Sequence, residues 1–192
     1  MNSPRLVTTT LAATALAAGT IFAGAAPAMA DDRVCRGTLS NRTISDNIVV
    51  PKGATCTLNR VNVKGNVLVR SGATLRAYKG SVDGNIQATG HKYVRVTTVR
   101  VDGDIQLKSG RSANLRLNTV DGNIQSERNR GSQIIAHNRV DGDIQLFSNK
   151  AGSKSVYRNR VDGNLQCKSN VPAPKGWSNI VKGNKEGPCR RF

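Results

Sequence analysis

Apolar and polar residues alternate along this chain in short runs, and the runs return at a fixed interval. The clearest copies are Val82-Asp83-Gly84-Asn85-Ile86-Gln87, Val101-Asp102-Gly103-Asp104-Ile105-Gln106, Val120-Asp121-Gly122-Asn123-Ile124-Gln125, Val140-Asp141-Gly142-Asp143-Ile144-Gln145 and Val161-Asp162-Gly163-Asn164-Leu165-Gln166. Weaker copies, Ile44-Ser45-Asp46-Asn47-Ile48, Val63-Lys64-Gly65-Asn66-Val67 and Val181-Lys182-Gly183-Asn184-Lys185, extend the series at both ends. With Asp46 and the seven glycines as markers, successive steps are 19, 19, 19, 19, 20, 21 and 20 residues. Apolar columns fall two residues before each marker and two after it, and a third column seven before reads Leu58, Ala77, Val96, Leu115, Ile135 and Val156.

Period-two alternation is the signature of strands with one face buried, and a fixed period near 20 means a solenoid. Leucine-rich repeats have a similar period, but they need leucine at several fixed places, whereas these units carry valine and isoleucine and contain no helical stretch. The pattern therefore predicts an all-β fold: a single-stranded right-handed parallel β-helix of about eight coils, with two or three short strands per coil. Stacked at about 4.8 Å per coil, the rod should be about 35 to 40 Å long. Each marker glycine is expected at a corner, where positive φ or close packing excludes a Cβ. Pairs such as Ser71-Gly72 and Ser109-Gly110 mark another corner.

The first thirty residues break the pattern. Arg5, an apolar run from Leu11 to Ala25 and the small-residue site Ala28-Met29-Ala30 read as a cleaved export signal. The expected organisation is signal peptide 1–30, an N-terminal cap 31–42, coils 43–170 and a C-terminal capping segment 171–192. No membrane span is expected after cleavage, and the protein should be secreted, either extracellular or associated with a cell wall. Trp177, among Pro172 and Pro174, is expected to act as a lid on the core. Open β-helix ends expose strand edges, and the cysteines lie where covers are needed. Of the three possible pairings, Cys35–Cys56 and Cys167–Cys189 is the one that joins neighbouring coils, and an exported protein has the oxidising setting for it.

Charge narrows the partner class. The chain carries 29 Lys and Arg against 12 Asp and Glu, a net +17 that becomes +16 once Arg5 is lost. Such a balance draws a protein toward polyanions. With three Phe, three Tyr and one Trp, a base-stacking surface is not expected, and neither is a specific nucleic-acid partner. Arg70, Arg76, Arg95, Arg116, Arg158, Arg190 and Arg191 are the candidate contacts for an anionic polymer or extracellular glycan.

Stacking turns outward positions into ladders. Asp83, Asp102, Asp121, Asp141 and Asp162 form one, and Gln87, Gln106, Gln125, Gln145 and Gln166 another; Asn or Asp follows every marker. Carboxylates at coil spacing repel by about 1 kcal/mol in water, which Arg100, Arg139 and Arg160 can offset. The ladders are expected to be structural, with each Asp bonded to the corner backbone and the amides to one another. A functional reading places a calcium or sugar site at Asp102, Asp104, Asp141 or Asp143; no resident cofactor is otherwise expected. His91 and His137 are about two coils apart and no nucleophile–base pair is recognisable, so no catalytic residue is assigned.

The pattern Val101-Asp102-Gly103-Asp104-Ile105 resembles that of bactofilins, polymer-forming bacterial β-helix proteins, over about residues 43 to 185. The chain also resembles small secreted β-helix proteins of high-GC Gram-positive bacteria and, in general fold, larger pectate-lyase-like proteins, whose catalytic loops it does not match. The resemblance implies a β-helix and no active-site residue. The expected function is a monomeric, non-enzymatic secreted β-helix that binds or decorates an anionic extracellular or cell-wall polymer. The alternatives are a small polysaccharide-acting enzyme using the Asp ladder and a self-assembling structural protein.

Overall fold

A strand that buries one face still needs hydrogen-bond partners on both edges, and here every interior coil finds them in the coils above and below. The computed structural model describes residues 32–192; the expected signal peptide lies outside the described residues. An interior coil consists of Tyr93–Thr97, Arg100–Val101 and Ile105–Lys108, after which Ser112–Arg116 begins the next. Strands following the marker glycine stack into a nine-stranded sheet, the first face, running from Asp32–Val34 to Lys185–Glu186. The second face, of Tyr93–Thr97 type, and the third, of Arg100–Val101 type, belong to one thirteen-stranded sheet, because Thr55–Val63 and Thr74–Val82 each run unbroken across both.

All pairings are parallel and keep the sequence register: Ile105 lies opposite Ile86 and Ile124, and Val120 opposite Val101 and Val140. The expected β-solenoid of about eight turns is therefore the fold, with no α-helix among the described residues. Leu58, Ala77, Val96, Leu115, Ile135 and Val156 are buried, as are the columns flanking the markers through the central coils.

Corners do the remaining work, and each has its own chemistry. At the marker glycines φ is not positive; close approach is what excludes a side chain. A Cβ on Gly122 would stand 2.4 Å from Asp104 Oδ1 and 2.8 Å from the Gly103 carbonyl oxygen. Left-handed backbone falls elsewhere, at Thr98, Leu117, His137 and Arg158 (φ 52 to 57°) between the second and third faces, and at Ser109, Arg128, Ser148 and Ser169 between the first and second. An asparagine follows most of these residues and turns inward. Asn118, Asn138, Asn159 and Asn179 form one buried ladder, in which Asn118 donates from its backbone N and Nδ2 to Asn138 Oδ1, both at 3.0 Å. Asn129, Asn149 and Asn170 form a second. Their Nδ2 groups also reach carbonyls such as Val96 O and Leu107 O, so polar groups stay buried with their hydrogen bonds made.

The coils longer than 19 residues take their extra residues at the corner between the first and second faces. Gln133 and Lys154, in a core column, fill the widened turns. Gln133 donates to Arg111 O and Gly131 O, and Lys154 Nζ donates to Ala151 O, Gly152 O and Val171 O. Burial, and then the nearby Lys150 charge, lower the Lys154 pKa.

Disulfides join Cys35 to Cys56 and Cys167 to Cys189, with Cα atoms 5.5 and 5.4 Å apart. Beyond the last strand the chain closes in a 3-10 helix, Gly187–Arg191. The lid expected of Trp177 is supplied by Phe192, which packs on the core over Gly176, where a Cβ would meet its ring at 2.3 Å. Trp177 points outward because it occupies a polar-side position of the second face, opposite Tyr157.

Gly122→Ala should lower stability by about 1–3 kcal/mol through overpacking, read as a drop in urea midpoint. An unchanged midpoint would mean that close approach does not select glycine at this corner.

Candidate functional site

The acid ladder holds itself together. Lys64 pairs with Asp83 at 3.0 Å; Arg100 bridges Asp102 and Asp121; Arg139 spans Asp141 at 3.4 Å and Asp162 at 3.9 Å; Lys182 closes the row on Asp162 at 2.8 Å. Lys64 and Lys182 occupy the same repeat position as the aspartates, so the row is acidic inside and basic at its ends. The Lys182 hydrogen bond, aided by the Lys182, Arg139 and Arg160 charges, holds the Asp162 carboxyl below its ordinary pKa against a desolvation cost. The expected Asp-to-backbone bonds give way to these ion pairs because the corner N–H groups are already taken by the amide column. Asn47 Oδ1 accepts from Asn66 N at 2.8 Å and Nδ2 at 3.1 Å. Asp104 and Asp143 substitute for asparagine in that column, each accepting from the next coil's N and Nδ2 through Oδ1. Gln106 donates to Asp104 Oδ2, Gln145 to Gln166 and Gln166 to Glu186, so the glutamine column is stitched in part.

The carboxylates named for calcium are thus engaged with protein groups, and among the described residues no group of three or more His, Cys, Asp or Glu is arranged to hold a metal. Two clefts occur at the C-terminal end. One, of about 450 Å³, is lined by Pro174, Pro188, Arg190, Arg191 and Phe192; the other, of about 250 Å³, by Ser153, Lys154, Pro172 and Lys175. No ladder residue lines either.

Charge, by contrast, is sharply sorted. Counting from the markers, every Asp and Glu after Asp32 falls between one residue before and five after, which is the glycine corner and the first face; Asp32 lies opposite Asn47 in the same zone. The second face and its two bounding corners carry no described acid. Arg76, Arg95, Arg116 and Lys175 stand on the face, Arg60, Lys79 and Arg158 along one corner, and Lys92, Arg111, Arg130 and Lys150 along the other. None of them meets a carboxylate within 4.0 Å among the described residues. Of the sequence candidates, Arg76, Arg95, Arg116 and Arg158 are brought together here. Arg70 sits at the far end of the first face beside the corner, and Arg190 and Arg191 belong to the terminal cleft.

The same face holds all three tyrosines, Tyr78, Tyr93 and Tyr157, and the single tryptophan. Trp177 stacks on Tyr157 with centroids 4.4 Å apart and planes 4° from parallel; His137 meets Tyr157 edge-on at 5.6 Å. Arg95 lies over Tyr78 at 5.7 Å and Arg116 over Tyr157 at 5.9 Å, within cation–π range. Composition alone could not reveal this grouping; numbering each aromatic from its marker would have, since Tyr78, Tyr157 and Trp177 all stand six residues before one.

His91 is the outlying titratable group. It is fully buried, in the column that later coils fill with Asn129, Asn149 and Asn170, and its ring occupies the space a Gly110 side chain would need, 2.2 Å from the ideal Cβ. Neither ring nitrogen has a hydrogen-bond partner. Desolvation lowers its pKa to about 4, opposed by the Ala88 backbone, whose approach falls short of hydrogen-bond geometry. Because the folded protein disfavours the charged ring, stability is retained above the unfolded value of 6.5 and is lost as pH falls from there toward 4. The loss should reach about 3 kcal/mol, and His91→Asn should flatten the slope in a pH series of thermal melts; an unaltered slope would assign it to another group.

Two disulfides fit a non-reducing environment, and no helix among the described residues is long and apolar enough to cross a membrane. No curated protein and no solved structure matches the chain. A family model described as Toastrack DUF4097 matches residues 35–178. That span takes in nearly all the stacked coils and most of the chain, and the protein belongs to the Toastrack DUF4097 family.

Proposed function

We propose that the protein is a secreted, non-enzymatic β-solenoid that binds an anionic extracellular or cell-wall polymer along its second face. The observation that carries this reading is the sorting of charge: an acid-free face flanked by Arg and Lys, all without a carboxylate partner except Arg128, which pairs with Glu127 at 2.8 Å, on a rod whose described carboxylates lie at the glycine corner and on the first face. A repeating surface suits an extended polymer, since Arg76, Arg95, Arg116 and Lys175 recur along it on coils about 4.8 Å apart. Electrostatic attraction of this kind is strong at low ionic strength and fades as the Debye length shortens.

An enzymatic use of the Asp ladder receives less support, because Arg and Lys neutralise the carboxylates and neither cleft includes them. The bridged acids act as a structural strut on the corner away from the binding face.

Co-sedimentation of the protein with bacterial cell walls, with and without their anionic polymers, tests the reading. Binding should require the polymers and weaken about tenfold or more on raising salt from 50 to 300 mM, as multiple-contact polyanion binding does. Arg76→Glu with Arg95→Glu should abolish it, while the same charge change on the first face, Lys108→Glu with Lys168→Glu, should leave most of it. Equal loss from both pairs would replace a specific face with diffuse charge, and salt-resistant binding would remove the electrostatic basis altogether.

A further inference from the structure

We infer that the second face recognises a polymer of sugar rings bearing carboxylates, an acidic polysaccharide, in preference to a chain of bare phosphates. This rests on the anionic-polymer reading above and adds the chemistry of the repeating unit.

Charge alone would leave the aromatics unexplained. Outward on this face, counted six residues before the marker, stand Tyr78, Thr97, Arg116, Ala136, Tyr157 and Trp177 in consecutive coils. Ala136 is small and fully covered, which lets Arg116 reach across it to one face of Tyr157 while Trp177 stacks on the other. The result is a continuous stripe, guanidinium to phenol to indole, ending in an indole that is 48% exposed. Trp177 belongs to the last strand of its sheet, so no further coil covers its outer ring face. Exposed Trp and Tyr combine an apolar plane with a polar edge, matching a pyranose, which has an apolar C–H face and a polar rim. A polyphosphate has no such face.

A second observation lies in the middle of the stripe. Arg95 and Asn114 are register partners, as are Thr97 and Arg116, and this square of four half-buried side chains contains four polar atoms without a partner: Arg95 Nε, Thr97 Oγ1, Asn114 Oδ1 and Arg116 Nε. Unpaired, shielded polar atoms are costly. The half-buried side chains that carry these atoms are mixed in kind: guanidinium for a carboxylate, in the bidentate geometry arginine favours, and amide and hydroxyl for sugar hydroxyls. From Tyr78 to Trp177 the stripe spans five coil steps, about 24 Å at ~4.8 Å each, enough for several sugar units.

The test compares alginate, a polyuronate, with inorganic polyphosphate at equal charge and low salt, using the disulfide-intact protein. Since Trp177 is the single tryptophan, its emission reads the site directly. Alginate should bind more tightly and shift the emission, and polyphosphate should leave the emission unmoved. Trp177→Ala, at an exposed position, should weaken alginate about tenfold and spare polyphosphate; Arg95→Gln with Arg116→Gln should weaken both. If polyphosphate binds as well as alginate, or Trp177→Ala leaves alginate binding intact, sugar recognition is overturned while the anionic-polymer reading stands. If neither polymer binds, both fall.

Discussion

Backbone hydrogen bonding between coils is the constraint on which this molecule depends. No coil can satisfy its own N–H and C=O groups, so each must lie on its neighbours in one register. Once the register is set, every position becomes a column, and every column must be able to live with copies of itself about 4.8 Å away. Aliphatic columns do so by packing and asparagine columns by donating to one another. A column of carboxylates cannot, and the chain places arginines beside it. Aromatic rings can stack, and Trp177 on Tyr157 does.

That logic explains how much was legible beforehand. Val101, Ile105 and their equivalents announced the strands, the markers announced the coil, and the cysteine spacing announced the two disulfides, because each is a property of one repeat read against the next. The buried Asn118 and Asn129 ladders escaped because asparagine reads as a turn residue, and its inward aim depends on the left-handed residue before it. Yet the signal was present: asparagine stands four before the marker in four successive coils. Lys154 escaped for a stronger reason. A lysine in a core column contradicts the pattern, and only the carbonyls of a turn widened by insertion make its burial tolerable.

The candidate site was legible in a different measure. Composition gave an excess of positive charge without location, and the seven arginines first chosen divide among a face, its corners and the terminal cleft. What composition could not convey is the exclusion of acids from one side. That exclusion follows from placing Asp next to the marker glycine, where the third face supplies Arg100 and Arg139 as partners, and leaves the second face's arginines without any. The strut and the proposed binding surface are thus two outcomes of one arrangement.

The acid row also carries a longer rhythm than the fold. Arg100 serves the aspartates of two successive coils and Arg139 serves the next two, with Thr119 standing between them in the same column. Geometrically the unit is one coil; electrostatically it is two. A lineage that lengthened this rod by duplicating a single interior turn could leave a carboxylate without its bridge, whereas duplication in pairs would copy the bridge along with the acids. The charge pairing of this rod thus sets a repeat twice as long as its packing does.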